Sequence, residues 1–165
     1  MPIKKPITTL IFDWGDTIMQ DFGLPGPMYS WEKVAWIPGA EEALKILSLA
    51  YPCIIATSAD HSGVEEMKAA LERVGAEKYF SHFFAAIDLG HKKPDPRFFL
   101  AITQKLDLIP GKCVMIGNMY EKDIAGAKKA GLQTVFFNLD KHSGTFPSAD
   151  EIIVDMNHLS RVIPF

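Results

Sequence analysis

Short runs rich in β-branched and aromatic residues alternate with amphipathic helical patterns along this chain, and that alternation admits few folds. The runs Ile7 to Phe12, Cys53 to Ala56, Phe83 to Ile87, Cys113 to Ile116, Thr134 to Phe137 and Ile152 to Val154 are short and mostly apolar, as strands buried on both faces require. Between them apolar residues recur at helical spacing. Ala40, Ala43, Leu44 and Leu47 form one such face behind Pro38 and Gly39. Val64, Met67, Leu71 and Val74 form a second behind the capping-box pattern Ser62-Gly63-Val64-Glu65, with Gly75 as its stop. Asp95 as N-cap and Pro96 at the first helical position open a third through Phe99, Ile102 and Leu106, and Tyr120 to Ala130 make a fourth ended by Gly131. The pattern predicts an α/β fold: a three-layer, Rossmann-like parallel sheet with helices on both faces and right-handed crossovers.

At 165 residues, with 48% hydrophobic and 22% charged residues, the chain suits one globular domain over residues 1–165 with a core of its own. A net charge of −3, with Arg73, Arg97 and Arg161 the only arginines, argues against a nucleic-acid groove. The lysines near the start precede no apolar leader, and no apolar run is long enough for a membrane span. Cys53 and Cys113 each open an apolar strand-like run, which fits buried thiols in a reducing compartment better than a disulfide. The expectation is a cytoplasmic protein with no nucleic-acid or membrane partner.

In open parallel sheets ligands bind outside the carboxyl ends of the strands. Those ends carry Asp13-Trp14-Gly15-Asp16-Thr17, then Thr57-Ser58, then Lys92-Lys93-Pro94, then Gly117-Asn118 with Asp123 beyond. The set suits phosphoryl transfer. A carboxylate can attack phosphorus in line, Mg²⁺ can neutralise phosphoryl oxygens, and lysine with hydroxyl donors can hold the equatorial charge.

The chain resembles the haloacid dehalogenase superfamily of aspartate-nucleophile phosphohydrolases, with four motifs in order. LIFDWGDT resembles the first, a strand followed by Asp-x-Asp-x-Thr; IIATS resembles the second, a strand ending in Thr or Ser. HKKPDPRFF resembles the third, Lys-Pro before a helix, and VMIGNMYEKDIAGAKKAG the fourth, Gly-Asp-x-x-x-x-Asp entering an Ala/Gly-rich helix. The resemblance implies Asp13 as nucleophile, Thr57 and Lys93 as catalytic phosphoryl clamps, and Thr17 as support for the loop. It also implies Mg²⁺ held by Asp13, the Gly15 carbonyl and Asn118, with Asp123 behind through water or as partner to Lys93. Substrate contacts would come from Trp14, Gly15, Thr57, Ser58 and Lys93, while Lys92 faces solvent.

Two positions depart from the family pattern. Gly15 stands where phosphatases of the family carry a second Asp as general acid and base, and Asn118 stands for the first Asp of the fourth motif. Gly15 still offers a carbonyl, but it cannot move a proton, so slow turnover of an aspartyl-phosphate and a kinetic burst are expected. Asp16 either swings in to replace it or caps the turn. Asn118 keeps an oxygen ligand but removes one negative charge, which weakens Mg²⁺ binding.

The intervals Thr17 to Thr57 and Thr57 to Lys93 leave no room for the cap domain common in this family, so the resemblance is to a capless member. Such members act on large substrates or borrow a lid in a homo-oligomer. Residues 13–38, punctuated by Gly15, Gly23, Pro25, Gly26 and Pro27, read as a loop or flap on the active face, with Trp31 and Trp36 as substrate wall, oligomer contact or anchors. His61, His82, His91, His142 and His158 have no spacing suited to a transition-metal site. The leading expectation is an Mg²⁺-dependent phosphomonoester hydrolase acting on a phosphorylated substrate. Two others stand beside it: a phosphate- or phosphoprotein-binding regulatory module with weakened catalysis, and a phosphonatase or dehalogenase, whose chemistry usually draws on cap residues.

Overall fold

The computed structural model describes residues 2–165. Six parallel strands form one sheet in the order β3-β2-β1-β4-β5-β6. They are β1 (Thr9–Phe12), β2 (Cys53–Thr57), β3 (His82–Ala85), β4 (Cys113–Gly117), β5 (Gln133–Phe137) and β6 (Glu151–Ile153). The six runs expected as strands all pair in the sheet, with shifted ends. The third run is shorter than expected. Ala86 and Ile87 belong to a short helix, α3 (Ala86–Leu89), and Ile87 is exposed. As an edge strand β3 has a neighbour on one side only, so the ladder does not hold the chain extended past Ala85. The same geometry leaves β3 and β6 partly exposed, whereas β1, β2 and β4 are buried throughout.

The period-two alternation of strand side chains divides the core into two clusters. Leu10, Phe12, Ile55 and Ile116 point to one face, where α1 (Ala40–Ala50), α2 (Val64–Arg73) and α6 (Leu159–Val162) pack through Leu44, Leu47, Met67, Leu71 and Leu159. Ile11, Ile54 and Met115 point to the other, against Phe98, Phe99 and Ile102 of α4 (Pro96–Lys105) and Ala127 of α5 (Gly126–Lys129). Each of these large side chains is almost wholly removed from water, worth about 1.5–3 kcal/mol apiece.

Helix ends refine the sequence reading. At α2 the N-cap is Gly63, whose N–H donates to Glu66 rather than Glu65, and Asp88 of α3 accepts from the Val64 N–H at 3.1 Å. Asp95 caps α4 by accepting from the Arg97 N–H at 2.9 Å, with Pro96 following it. The fourth helix is not uniform: residues Tyr120–Ala125 form a π-helical turn before α5 begins. Such wide turns are uncommon and tend to sit at functional sites.

The strand order reverses at β1, with β2 on one side and β4 on the other. That reversal opens a crevice at the carboxyl ends of these strands. Residues 13–38 fold back over it, stitched by bridges from Gly15 to Met19 and from Met19 to Trp36. Arg73 of α2 pins this flap by donating from Nη1 to the carbonyls of Trp31 at 2.5 Å and Tyr29 at 3.2 Å.

Candidate active site

Asp13 follows directly on β1, and its N–H donates to Ile116 O of β4 at 3.0 Å, which ties the first loop to the neighbouring strand. Its carboxylate is divided between two sets of partners. Oδ1 accepts from Lys93 Nζ at 2.8 Å, and Oδ2 lies 3.3 Å from Thr17 Oγ1. Lys93 is 3% exposed and also donates to Asp123 Oδ1 at 2.8 Å, so one ammonium bridges two carboxylates. Burial opposes its charge, but the two carboxylates outweigh that, and the Lys93 pKa lies above its ordinary value. Asp123 is pushed up to about 6 by burial first and by the Asp13 charge second, against the pull of Lys93.

Close packing makes the cluster. A Cβ on Gly117 would sit 2.4 Å from Asp123 Oδ2, and one on Gly126 would sit 2.6 Å from Pro94 O. The two glycines let the π-helical turn close onto β4 and onto the Lys93–Pro94 loop. Asp123 Oδ2 accepts from the Met119 N–H at 3.0 Å, so both oxygens of this carboxylate already have donors. Asp123 thus takes the second of the two roles expected for it, partner to Lys93.

Asn118 reaches across from β4 to the first loop. The side-chain atom nearest Asp13 Oδ2, at 2.9 Å, is also 3.3 Å from Gly15 O and 3.2 Å from Thr17 Oγ1. With the amide nitrogen there, Asn118 donates to these oxygens. With the amide oxygen there, three hard oxygens converge at short range with no proton between Asn118, Asp13 and Gly15. That donor set fits a small hard cation such as Mg²⁺. It holds a single carboxylate, and among the described residues no group of three His, Cys, Asp or Glu side chains forms a metal cluster.

Thr57 ends β2 and is buried; its Oγ1 accepts from the Ala59 N–H at 3.1 Å, which leaves its own proton to donate. Ser58 Oγ accepts from the Lys93 N–H at 2.9 Å, joining the second loop to the third. Trp14 borders the cavity but its indole is 3% exposed and directs Nε1 at Met19 Sδ, 3.3 Å away, so its ring belongs to the core. Lys92 is exposed, as expected. Trp31 and Trp36 are anchors: their Nε1 groups donate to Pro25 O and Gly26 O, and to Val74 O.

Asp16 does not swing inward. Its backbone is left-handed (φ 58°), and its Oδ1 accepts from the Asp21 N–H at 2.9 Å. Burial raises its pKa, and that hydrogen bond opposes the rise. A cavity of about 430 Å³ opens over these groups, bordered by Asp13, Thr57, Ser58 and Lys93 and, from the flap, by Asp21 and Leu24. Asp21 lies in no motif, and nothing in the sequence pattern marks it. A second cavity of about 310 Å³, between Lys4, Lys5 and Lys112, lies at the opposite end of the sheet and shares no residue with the first.

The arrangement joins a buried carboxylate at a strand end, a lysine shared with a second carboxylate, hydroxyl donors and a hard-oxygen cluster. The profile of haloacid dehalogenase-like hydrolases matches residues 26–131. The chain belongs to that family. It is 32% identical over 119 residues to the ribulose-1,5-bisphosphate 5-phosphatase of Halopiger xanaduensis, covering 72% of this chain and 49% of that protein. Against the glyceraldehyde 3-phosphate phosphatase of Pyrococcus furiosus it is 27% identical, covering 77% of this chain and 54% of that one. The chain thus spans about half the length of these relatives. In fold it matches the HAD-hydrolase YfnB of Bacillus subtilis, solved bound to magnesium, with a TM-score of 0.81, 18% identity and coverage of 98% and 100%.

Proposed function

We propose that this protein is an Mg²⁺-dependent phosphomonoester hydrolase that works through an aspartyl-phosphate on Asp13. The observation that carries this reading is the Asp13–Lys93–Asp123 bridge, which holds a carboxylate at a strand end beside a buried, twice-paired ammonium. The phosphatases among its relatives support the same chemistry.

In the first step an Asp13 oxygen attacks phosphorus, a bond from Asp13 to phosphorus forms, and the bond to the ester oxygen breaks. Lys93 uses two of its three N–H donors on Asp13 and Asp123, and the third serves a phosphoryl oxygen. Thr57 donates its hydroxyl proton to a second one. Asp13, Gly15 O and Asn118 would hold Mg²⁺, which neutralises charge on the phosphoryl group when bound. Thr17 orients both Asp13 and Asn118, within 3.3 and 3.2 Å of its hydroxyl oxygen. In the second step water attacks phosphorus, the bond to Asp13 breaks, and inorganic phosphate leaves.

Residues 1–165 act as one capless domain in this reading. Only the flap, α1, β2, α2, a 3-10 turn at Glu77–Tyr79, β3 and α3 lie between the first and third loops, and the cavity stays open to solvent. An open site of this kind takes a substrate too large to enclose or borrows a lid from a second copy. Cytoplasmic residence is supported by Cys53 and Cys113, free, buried thiols pushed up by burial to about 12 and about 11 and so held in the unreactive form. Among the described residues no helix is long and apolar enough to cross a membrane.

The test is phosphate release from a panel of phosphomonoesters, with Mg²⁺ and with chelator, for wild type and Asp13→Asn. Release that needs the metal and vanishes in the variant is expected. Equal release from the variant would overturn the reading.

A further inference from the structure

Position 15 has no side chain, and the space in front of it is bordered by another carboxylate. A Cβ built on Gly15 would lie 3.8 Å from Asp21 Cβ and 3.8 Å from Asp21 Oδ2, ordinary contact distances, with no other neighbouring group within 4 Å. Asp21 borders the same cavity as Asp13, Thr57 and Lys93. Its orientation is set by two hydrogen bonds. The Asp21 N–H donates to Asp16 Oδ1 at 2.9 Å, and Asp21 Oδ1 accepts from the Gly23 N–H at 2.9 Å. Gly23 has φ 66°, which a residue without Cβ adopts freely, so the turn beyond Asp21 can close on it. Oδ1 is thereby held, and Oδ2 is the oxygen left toward Gly15.

We infer that Asp21 is the general acid and base of this site, delivered from the flap to the region that a side chain at residue 15 would otherwise reach. The inference rests on the phosphohydrolase reading above. As the bond from phosphorus to the ester oxygen breaks and the Asp13 bond forms, protonated Asp21 gives its proton to the departing oxygen, which leaves as an alcohol. The Asp21 carboxylate then takes a proton from water as that oxygen bonds to phosphorus and the Asp13 bond breaks, which returns Asp21 to its protonated form. Asp16 is a positioning residue here, since its carboxylate is spent on the Asp21 N–H. With Asp21 in place, the burst expected from Gly15 alone gives way to a linear progress curve in the wild type.

Asp21 is exposed, and Asp21→Asn keeps both its shape and its acceptor for the Gly23 N–H, so the variant folds. The experiment compares wild type, Asp21→Asn, Asp21→Ala and Asp21→Ala with Gly15→Asp, on glycerol 2-phosphate and 4-nitrophenyl phosphate with Mg²⁺. Proton transfer of this kind contributes about 10²- to 10⁴-fold. Asp21→Asn is expected to lose that in kcat on the alkyl ester, with KM within a few-fold. On the nitrophenyl ester, whose leaving group needs no proton, it should release a burst of about one equivalent and then turn over slowly. Adding Gly15→Asp to Asp21→Ala should recover at least tenfold in kcat. Unchanged kcat, a change in KM alone, or equal losses on both esters with neither burst nor recovery overturns the role of Asp21 while leaving Asp13 as nucleophile. A wild type with no activity beyond Asp13→Asn overturns the hydrolase reading itself, and this inference falls with it.

Discussion

Lys93 Nζ donates to Asp13 Oδ1 at 2.8 Å, although eighty residues separate them and the ammonium is almost wholly removed from water. A buried charge of this kind survives only when paired and hydrogen-bonded. Lys93 is paired twice, and so it both organises the site and supports the fold.

Lys93→Met leaves Asp13 and Asp123 facing each other without a cation. Breaking a buried pair by removing one partner costs about 3–5 kcal/mol. The variant should lose that much in denaturant unfolding at pH 8 and all phosphatase activity. The stability loss should shrink as the pH falls and a proton takes the place of the ammonium between the carboxylates.

Asn118→Asp puts a second carboxylate 2.9 Å from Asp13 Oδ2. Without metal, like charges at that separation lower the melting temperature, and with Mg²⁺ the added charge strengthens binding. The expected result is a melting temperature below wild type in chelator and a larger Mg²⁺-induced rise, with half-maximal stabilisation at roughly tenfold lower Mg²⁺, a 1.4 kcal/mol gain in binding. A rise equal to that of wild type would argue against Asn118 as a ligand.

Asp123 carries a sign that can be checked by titration. Its folded pKa of about 6 lies above the ordinary 3.8, so the folded state binds the extra proton between those values. The stability this provides is complete below about pH 4 and is lost as the pH rises through 6. Asp123→Asn has no such proton. Its stability relative to wild type should climb between pH 4 and 7 and level off above that, read from urea unfolding at a series of pH values. A flat difference would mean that Asp123 does not titrate there.

Gly117→Ala drives a methyl to within 2.4 Å of Asp123 Oδ2 and 2.5 Å of its Cβ. Backbone and carboxylate must separate, and the Asp123–Lys93 bond goes with them. Overpacking of this kind costs about 1–3 kcal/mol. The variant should show that loss in unfolding together with a fall in kcat, whereas Gly111→Ala, which meets nothing within 4 Å, should leave the active site untouched.

Much of this molecule was legible before folding. The strands follow from β-branched runs, the α4 start from Asp95-Pro96, and the placing of Asp13, Thr57, Lys93 and Asn118 at one edge from the rule that parallel strands end on the same side. Those inferences need only local periodicity and handed crossovers, which any stretch of chain carries in itself. Ile87 shows the limit: its apolar character suggested a strand, but edge pairing does not reach it and the chain turns into α3.

The rest required side chains from distant segments to meet. Asp123 is a carboxylate in a helix-like pattern with two expected roles until Gly117 lets it approach Lys93, and that contact shows the ion pair. Asp16 and Asp21 are two acidic residues in one loop, and sequence position singles out Asp16, beside Gly15, rather than Asp21. Their roles depend on Arg73 holding Trp31 O and on Trp36 holding Val74 O, contacts across the fold that shape the flap. The sequence by itself determined the sheet, its helices and the edge where chemistry gathers, because backbone periodicity is a local property. Only the tertiary structure decided which carboxylate faces Gly15, because a loop takes its shape from the surfaces that hold it.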